Sequence, residues 1–383
     1  MRKFSTTLLT CALILLGGGG PASAIDTIAR EAIMIDYDTG AVLFEKNADQ
    51  PMPPASMSKL MTLYLLFERV RDGVLSLDDT FRVSENAWRK GGAKSGSSTM
   101  FLLPNKRVRI EDLIRGIIVQ SGNDACIVVA EGISGTEEAF AEEMTTRGRE
   151  MGLKNSIFRN STGWPDPEHK MSARDLTILA KRLISDFPDL YGYFDELKFT
   201  YGGIKQHNRN PLLYKDMGAD GLKTGHTEEA GYGLTASAVR GGRRLILVVN
   251  GLPSKKARSQ EPERLLEWGL REFGNFALFS AGETVESADV WLGQKPAIPL
   301  IIEKDLLLTL SRKARRNMKV RVVYEGPIPA PVEKGAEVAK LVVTAPNHAP
   351  FEVPLVAGES VARLGLFGRL GAALSAIIWG RSG

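Results

Sequence analysis

The sequence predicts an α+β protein in three parts: a mixed domain over residues 25–282, a small all-β domain over 283–357 and an amphipathic helix over 358–383. Two hairpin patterns with helical patterns between them predict the first part. A change near Val285 to short β-rich runs broken by Pro327, Pro329 and Pro331 predicts the second. The chain has 383 residues, 43% hydrophobic and 25% charged, with a net charge of +4 from 49 basic and 45 acidic residues. Such a balance fits a folded chain with a real core and excludes a disordered or polytopic one. The charge is too even for a nucleic-acid binder.

Residues 1–24 carry Arg2 and Lys3, an apolar run from Leu8 to Leu16, and Ala22-Ser23-Ala24. A basic start, a short apolar stretch and an A-x-A site make a secretory signal peptide cleaved after Ala24. Its apolar run is too short to span a bilayer. Cys11 lies inside that run, so only Cys126 remains after cleavage and no intrachain disulfide is expected. Ala32–Ile35 and Ala41–Glu45 form a hairpin about Asp38-Thr39-Gly40. Pro51, Pro53 and Pro54 forbid helix just before the helical segment Ser56–Val70. Helices Glu111–Val119 and Asp124–Glu131 follow, the second opening on a carboxylate that suits the positive end of a helix. Tyr232–Val239 and Arg243–Asn250 form a second hairpin at Gly241-Gly242, and Glu263–Phe273 is helical with Leu266, Leu270 and Phe273 on one face. The basic run Arg312, Lys313, Arg315, Arg316 and Lys319 reads as a solvated face. In the tail, Leu364, Leu366, Phe367, Leu370, Leu374, Ile377 and Ile378 fall in an arc of about 160°. Too few uncharged residues separate Arg369 from Arg381 to span a bilayer. The helix is therefore expected to lie in the plane of a membrane surface, helped by Arg363, Arg369 and Arg381.

Three short motifs carry chemistry. Ser56-Met57-Ser58-Lys59 places the Ser56 hydroxyl and the Lys59 amine on one helix face, one turn apart. The rest of that segment is apolar nearly all round, so the helix is buried and its lysine must pair or lose its proton. A neutral amine beside a serine is a general base for a nucleophile. Ser121-Gly122-Asn123 supplies a second serine and a carboxamide between two apolar helices. Ser84-Glu85-Asn86 has the same form but begins a polar, glycine-rich loop, so Ser121 is preferred. Asp124 reads as a helix-end charge, not a catalyst. Lys223-Thr224-Gly225 lies on a short strand, Gly221–Thr227, where glycine allows close approach by a ligand and lysine with threonine can hold a carboxylate.

In the order S-x-x-K, S-x-N, K-T-G these motifs form the signature of penicillin-binding proteins and serine β-lactamases. The wider runs Ser121 to Cys126, Ser172-Ala173-Arg174-Asp175, Asn208-Arg209-Asn210 and Asp220 to Thr227 resemble the D-alanyl-D-alanine carboxypeptidases, low-molecular-mass penicillin-binding proteins. The resemblance implies an antiparallel sheet flanked by helices, a small β domain, and a tail on the outer face of the inner membrane of a periplasmic enzyme. It implies Ser56 as acylated nucleophile, Lys59 as its base, and Ser121 as proton relay to the leaving D-alanine. Asn123 would bind the substrate amide and Lys223 would complete the polar network, with Thr224, Gly225, His226 and Arg209 binding substrate. The oxyanion hole would be the backbone N–H groups of Ser56 and His226. The implied ligands are peptidoglycan stem peptides and, as covalent inhibitors, β-lactams; no cofactor or metal is implied. Cys126 reads as a core thiol.

A carboxypeptidase must also recognise a free carboxylate. If Gly221–Thr227, Tyr232–Val239 and Arg243–Asn250 form a meander, the chain leaving Asn250 returns towards His226 with Lys255, Lys256 and Arg258. Arg258 is the candidate because its planar fork grips a carboxylate bidentately and because the family carries such an arginine there. Rival readings are transpeptidation or endopeptidase cleavage by the same acyl-enzyme, a class A β-lactamase using Glu168, and a cell-wall-binding morphological protein with a dead site. The second has serine at 172 where its E-x-x-x-N pattern needs asparagine, and the third would show a broken motif. A metal hydrolase is disfavoured because His169, His207, His226 and His348 show no short ligand pair.

Overall fold

The computed structural model describes residues 25–346 and 350–371. The expected signal peptide and the last twelve residues of the expected tail helix lie outside them. Five antiparallel strands form the main sheet in the spatial order Val42–Lys46, Glu31–Asp36, Arg243–Leu252, Gly231–Arg240, Ala219–Thr227. The hairpins and the meander are those expected, with Arg240 paired to Arg243 across Gly241-Gly242. Alternation sends successive residues to opposite faces. Ile33, Ile35, Ile246 and Val248 pack into the large helical core, whereas Met34, Leu245, Leu247 and Val249 pack with Leu265 and Leu266 on the other face.

The helix Lys59–Arg71 runs through the large core, and every residue from Lys59 to Glu68 is buried. Apolar residues all round leave it no solvent face, as the pattern predicted. Helices Ile110–Ile118 and Asn123–Ser134 pack beside it and hold the Ser121 turn between them. Cys126 is fully buried among them, and burial pushes its thiol up to about 12, which makes it inert.

Four expectations need correction. Ser84 does not begin a loop: its hydroxyl accepts the Ala87 N–H (2.9 Å) and caps the helix Glu85–Gly91. The helix expected from Glu263 begins at Lys255, capped by Ser254, with Pro262 inside it. Pro262 stands in the helix interior, where it removes one hydrogen bond and crowds the Arg258 carbonyl, so in sequence it reads as a break. The β-rich part begins at Phe273, not at 283, because strand Phe273–Phe279 pairs with Leu306–Ser311. Within it the basic run forms one short exposed helical turn, Arg312–Arg316, capped by Ser311, so it is the solvated face expected. The tail begins later than 358: Val361 bridges Val332 and is 2% exposed, and Arg363 bridges Gly293. Helix then runs over residues 366–371 with Leu366, Phe367 and Leu370 exposed. Among the described residues no helix is long and apolar enough to cross a membrane.

Candidate active site

Ser56 lies in a 3-10 turn, Ala55–Ser58, that leads into the buried helix, and Pro54 stands at its start. The turn delivers Lys59 Nζ to Ser56 Oγ, to which it donates at 2.9 Å, and to the Thr162 carbonyl oxygen at 2.5 Å. Lys59 is wholly buried. Desolvation is the main reason its amine falls to about 8; the Arg209 charge pushes the same way, against Asp124 and Glu137. At that value about a tenth of the molecules hold a neutral Lys59 at pH 7, against fewer than about one in a thousand for an ordinary lysine.

Ser121 adopts a left-handed backbone (φ 58°) in the turn between two helices and is 2% exposed. Its Oγ accepts from Lys223 Nζ at 2.9 Å, and the same amine donates to the Thr224 carbonyl at 3.0 Å. Lys223 is therefore not an exposed edge lysine. Burial, then the charges of Lys59 and Arg209, hold its amine well below the usual lysine range. Asn123 opens its helix with its N–H bonded to the Ser98 carbonyl (2.7 Å), while its buried Oδ1 has no partner in the protein. A substrate N–H would satisfy that oxygen, which is the role the resemblance assigns to it. Asp124 does more than sit at a helix end. Its carboxylate accepts from the Thr99 hydroxyl (2.6 Å) and the N–H groups of Met100 and Leu102 (both 3.0 Å), pinning the loop beside the cleft.

The strand Ala219–Thr227 lies against the turn that carries Ser56. A Cβ on Gly225 would stand 2.9 Å from the Pro54 carbonyl oxygen and 3.1 Å from Met57 Cγ. Glycine here lets strand and turn touch, which corrects the expectation that it makes room for a ligand. His226 is exposed, its ring 3.9 Å from that of Tyr232. Arg258 is 9% exposed and not on a solvated loop: the early helix start carries it under Tyr232, where Nη1 donates to the Gly225 carbonyl (3.2 Å). Its buried Nε has no partner, and burial lowers the guanidinium to about 10. Arg209 reaches across from the strand pair Lys198–Tyr201 and Ile204–His207 to Ser98 Oγ (2.5 Å).

Ser56, Ser121, Arg209, Thr224, Gly225, His226 and Arg258 line one cleft of about 600 Å³, together with Ser98, Tyr232 and Lys255. Lys59, Lys223 and Asn123 stand close behind it. Sequence reasoning missed Ser98, which lies in a polar run with no motif. It missed Thr162 because the contact is made by a backbone carbonyl, which carries no residue signature. Glu168 is absent from the cleft: its side chain is 69% exposed and paired with Arg159 at 3.1 Å. With a carbonyl and not a carboxylate at Lys59, the glutamate-activated water of a class A β-lactamase has no counterpart in Glu168.

A serine bonded to a desolvated lysine, with a second serine bonded to a second buried lysine across a cleft, defines an active-serine acyl-transfer enzyme. A D-alanyl-D-alanine carboxypeptidase sequence profile matches residues 20–254, and one for the C-terminal domain of penicillin-binding protein 5 matches residues 273–363. The chain belongs to the D-alanyl-D-alanine carboxypeptidase family of serine peptidases. It is 38% identical to the D-alanyl-D-alanine carboxypeptidase DacC of Escherichia coli K12, over 89% of this chain and 86% of that protein. Its fold matches penicillin binding protein 5 from Haemophilus influenzae with a TM-score of 0.77 at 37% identity, over 88% and 98% of the two chains. It also matches the carboxypeptidase DacD from Francisella tularensis with a TM-score of 0.79 at 30% identity, over 90% and 96%.

Proposed function

We propose that this chain removes the terminal D-alanine from peptidoglycan stem peptides through an acyl-enzyme on Ser56, and that β-lactams acylate the same oxygen. The observation that carries the reading is the 2.9 Å contact between Ser56 Oγ and a lysine amine lowered to about 8 by burial. In the neutral form of Lys59 the contact reverses, and the hydroxyl donates to the amine. Ser56 Oγ then attacks the carbonyl of the penultimate D-alanine as Lys59 takes its proton. The N–H groups of Ser56 and His226 receive the oxyanion. Ser121 Oγ gives its proton to the departing nitrogen and is reprotonated through the polar network that Lys223 closes. Water then adds to the acyl carbonyl, and Ser56 Oγ leaves with a proton. Incubation with an N-acylated peptide ending in D-Ala-D-Ala should release one D-alanine per peptide, and penicillin should block the release. Absence of release, or release insensitive to penicillin, would contradict the reading.

Arg258 is assigned to the substrate's terminal carboxylate, because it lines the cleft beside Arg209 and Lys255 and its Nε has no partner in the protein. Loss of a charged hydrogen bond costs about 1.5 to 3 kcal/mol, so Arg258→Ala should lower kcat/KM on D-Ala-D-Ala peptides about ten- to a hundredfold. A peptide with an amidated terminus should be scarcely affected. Equal losses on both would remove Arg258 from the binding site.

The location belongs to the same reading: secretion to the periplasm by the signal peptide, and attachment to the outer face of the inner membrane by the tail. Exposed Leu366, Phe367 and Leu370 at the visible start of that tail support the attachment. Because Val361 and Arg363 belong to the β domain, the deletion that isolates the tail is 365–383. It should leave soluble activity unchanged and move the protein from membrane pellet to periplasmic supernatant; persistence in the pellet would refute the anchor.

A further inference from the structure

The loop that carries Thr162 is folded by one side chain. Asn160 Oδ1 accepts from the N–H groups of Thr162 (3.1 Å), Gly163 (2.8 Å) and Trp164 (3.0 Å) and from the Thr162 hydroxyl (3.0 Å). Its Nδ2 donates to the Trp164 carbonyl (3.0 Å), and the residue is 8% exposed. All of these bonds stay within the loop, so their effect is to set its shape. That shape turns the Thr162 carbonyl onto Lys59 Nζ and brings Gly163, at φ +75°, so close to the nucleophile turn that a Cβ would stand 1.9 Å from the Ala55 carbonyl oxygen. One residue over, Ser161 Oγ donates to Glu137 (2.8 Å) and the Ser161 carbonyl accepts from the Thr62 hydroxyl (2.6 Å), which fastens the loop to the neighbouring helices.

We propose that Asn160 is a positioning residue for the acylation step: through the Thr162 carbonyl it fixes the direction in which Lys59 Nζ meets Ser56 Oγ. The inference rests on the reading of Lys59 as base. A neutral lysine amine has one lone pair and two N–H bonds, and it accepts the Ser56 proton only if the lone pair faces Oγ. The Thr162 carbonyl holds one N–H and so excludes the rotation that would turn the lone pair away towards it, leaving the lone pair or the second N–H for Oγ. Without the Asn160 hub the loop keeps the bond from the Trp164 N–H to Thr162 Oγ1 (3.1 Å) but loses those that Asn160 makes, the carbonyl drifts, and the amine turns more freely; misplacement of a reacting group by about 1 Å costs on the order of a hundredfold.

The charged and titratable groups facing Lys59 are Cys126 and Asp124 on one helix, Glu137 on another, Lys223 on the strand, Arg209, and His169, which burial keeps neutral near pH 7. An aspartate at 160 could accept the same N–H bonds while adding a negative charge on this loop, which favours the ammonium form of Lys59. Asn160→Ala is therefore expected to lower kcat/KM and the penicillin acylation rate about ten- to a hundredfold at every pH, with KM nearly unchanged. Asn160→Asp is expected to keep most of the rate at high pH while moving the rising limb of the kcat/KM profile upward by about one pH unit. The limb shift reports only the added charge; positioning is marked by a loss in kcat at constant KM in folded Asn160→Ala together with recovery in Asn160→Asp, which keeps the acceptor, a split that a role in stability alone would not give. If Asn160→Ala does not fold, Asn160→Ser, which keeps one acceptor oxygen on a shorter side chain, takes its place. Wild-type kcat/KM in the folded variant, or a loss confined to KM, would overturn the proposal. If Lys59→Arg is inactive and the Asn160 variants behave as wild type, only the role of Asn160 falls; if Lys59→Arg is active, the base assignment falls with it.

Discussion

Ser56→Ala should lose D-alanine release by a factor on the order of 10⁵, the scale on which removal of an active-site nucleophile registers. Its fold should survive, because the hydroxyl makes one side-chain hydrogen bond, to Lys59, and the residue is half-buried. Substrate should still bind, since Asn123, Arg209 and Arg258 remain in place. Thermal unfolding near the parent temperature together with absent turnover is the expected pair of results. Turnover within tenfold of the parent would mean that another group attacks the peptide, and Ser121, the other serine hydroxyl bonded to a buried lysine in this cleft, would be the first to examine.

Lys59→Arg should be nearly as damaging, by about 10² to 10⁴-fold in kcat/KM, the usual contribution of a general base. The substitution keeps a positive charge but removes the base, because guanidinium does not deprotonate in this range. In the parent enzyme the active form is the neutral amine. The group's folded value is depressed to about 8, so kcat/KM should climb with pH through about 8 and level above it. A lysine acting only as a fixed charge would give the opposite sign, with activity falling as pH rises through that value. Retained activity in Lys59→Arg, or a falling limb near pH 8, would reassign the residue.

Much of this architecture was legible because it rests on local rules. Short apolar runs beside turn residues marked the strands Glu31–Asp36 and Arg243–Leu252, and the apolar wrap of Lys59–Arg71 announced a buried helix. The contact between Ser56 and Lys59 was readable because a spacing of three along a helical turn is geometry in itself. What failed to show depends on tertiary contact. Pro262 concealed eight residues of helix, and with them the reason Arg258 is sheltered and not on a loop. Phe273 read as the end of a helix, and the strand Phe273–Phe279 that it opens went unread, because its partner, Leu306–Ser311, lies far along the chain. The carbonyl of Thr162 left no trace, since its aim is set by Asn160, whose bonds appear only once the loop is closed. Gly225 was singled out correctly for close approach, but the thing that approaches is the nucleophile turn.

The claim that a single activated serine carries the chemistry is tested most directly by the mass of the intact protein after brief exposure to penicillin, followed by peptide mapping. The account predicts one added penicilloyl group per chain, located on the peptide that contains Ser56, and no addition to Ser56→Ala. Modification of Ser56→Ala to the same extent as the parent, or an adduct mapped to another residue, would contradict it.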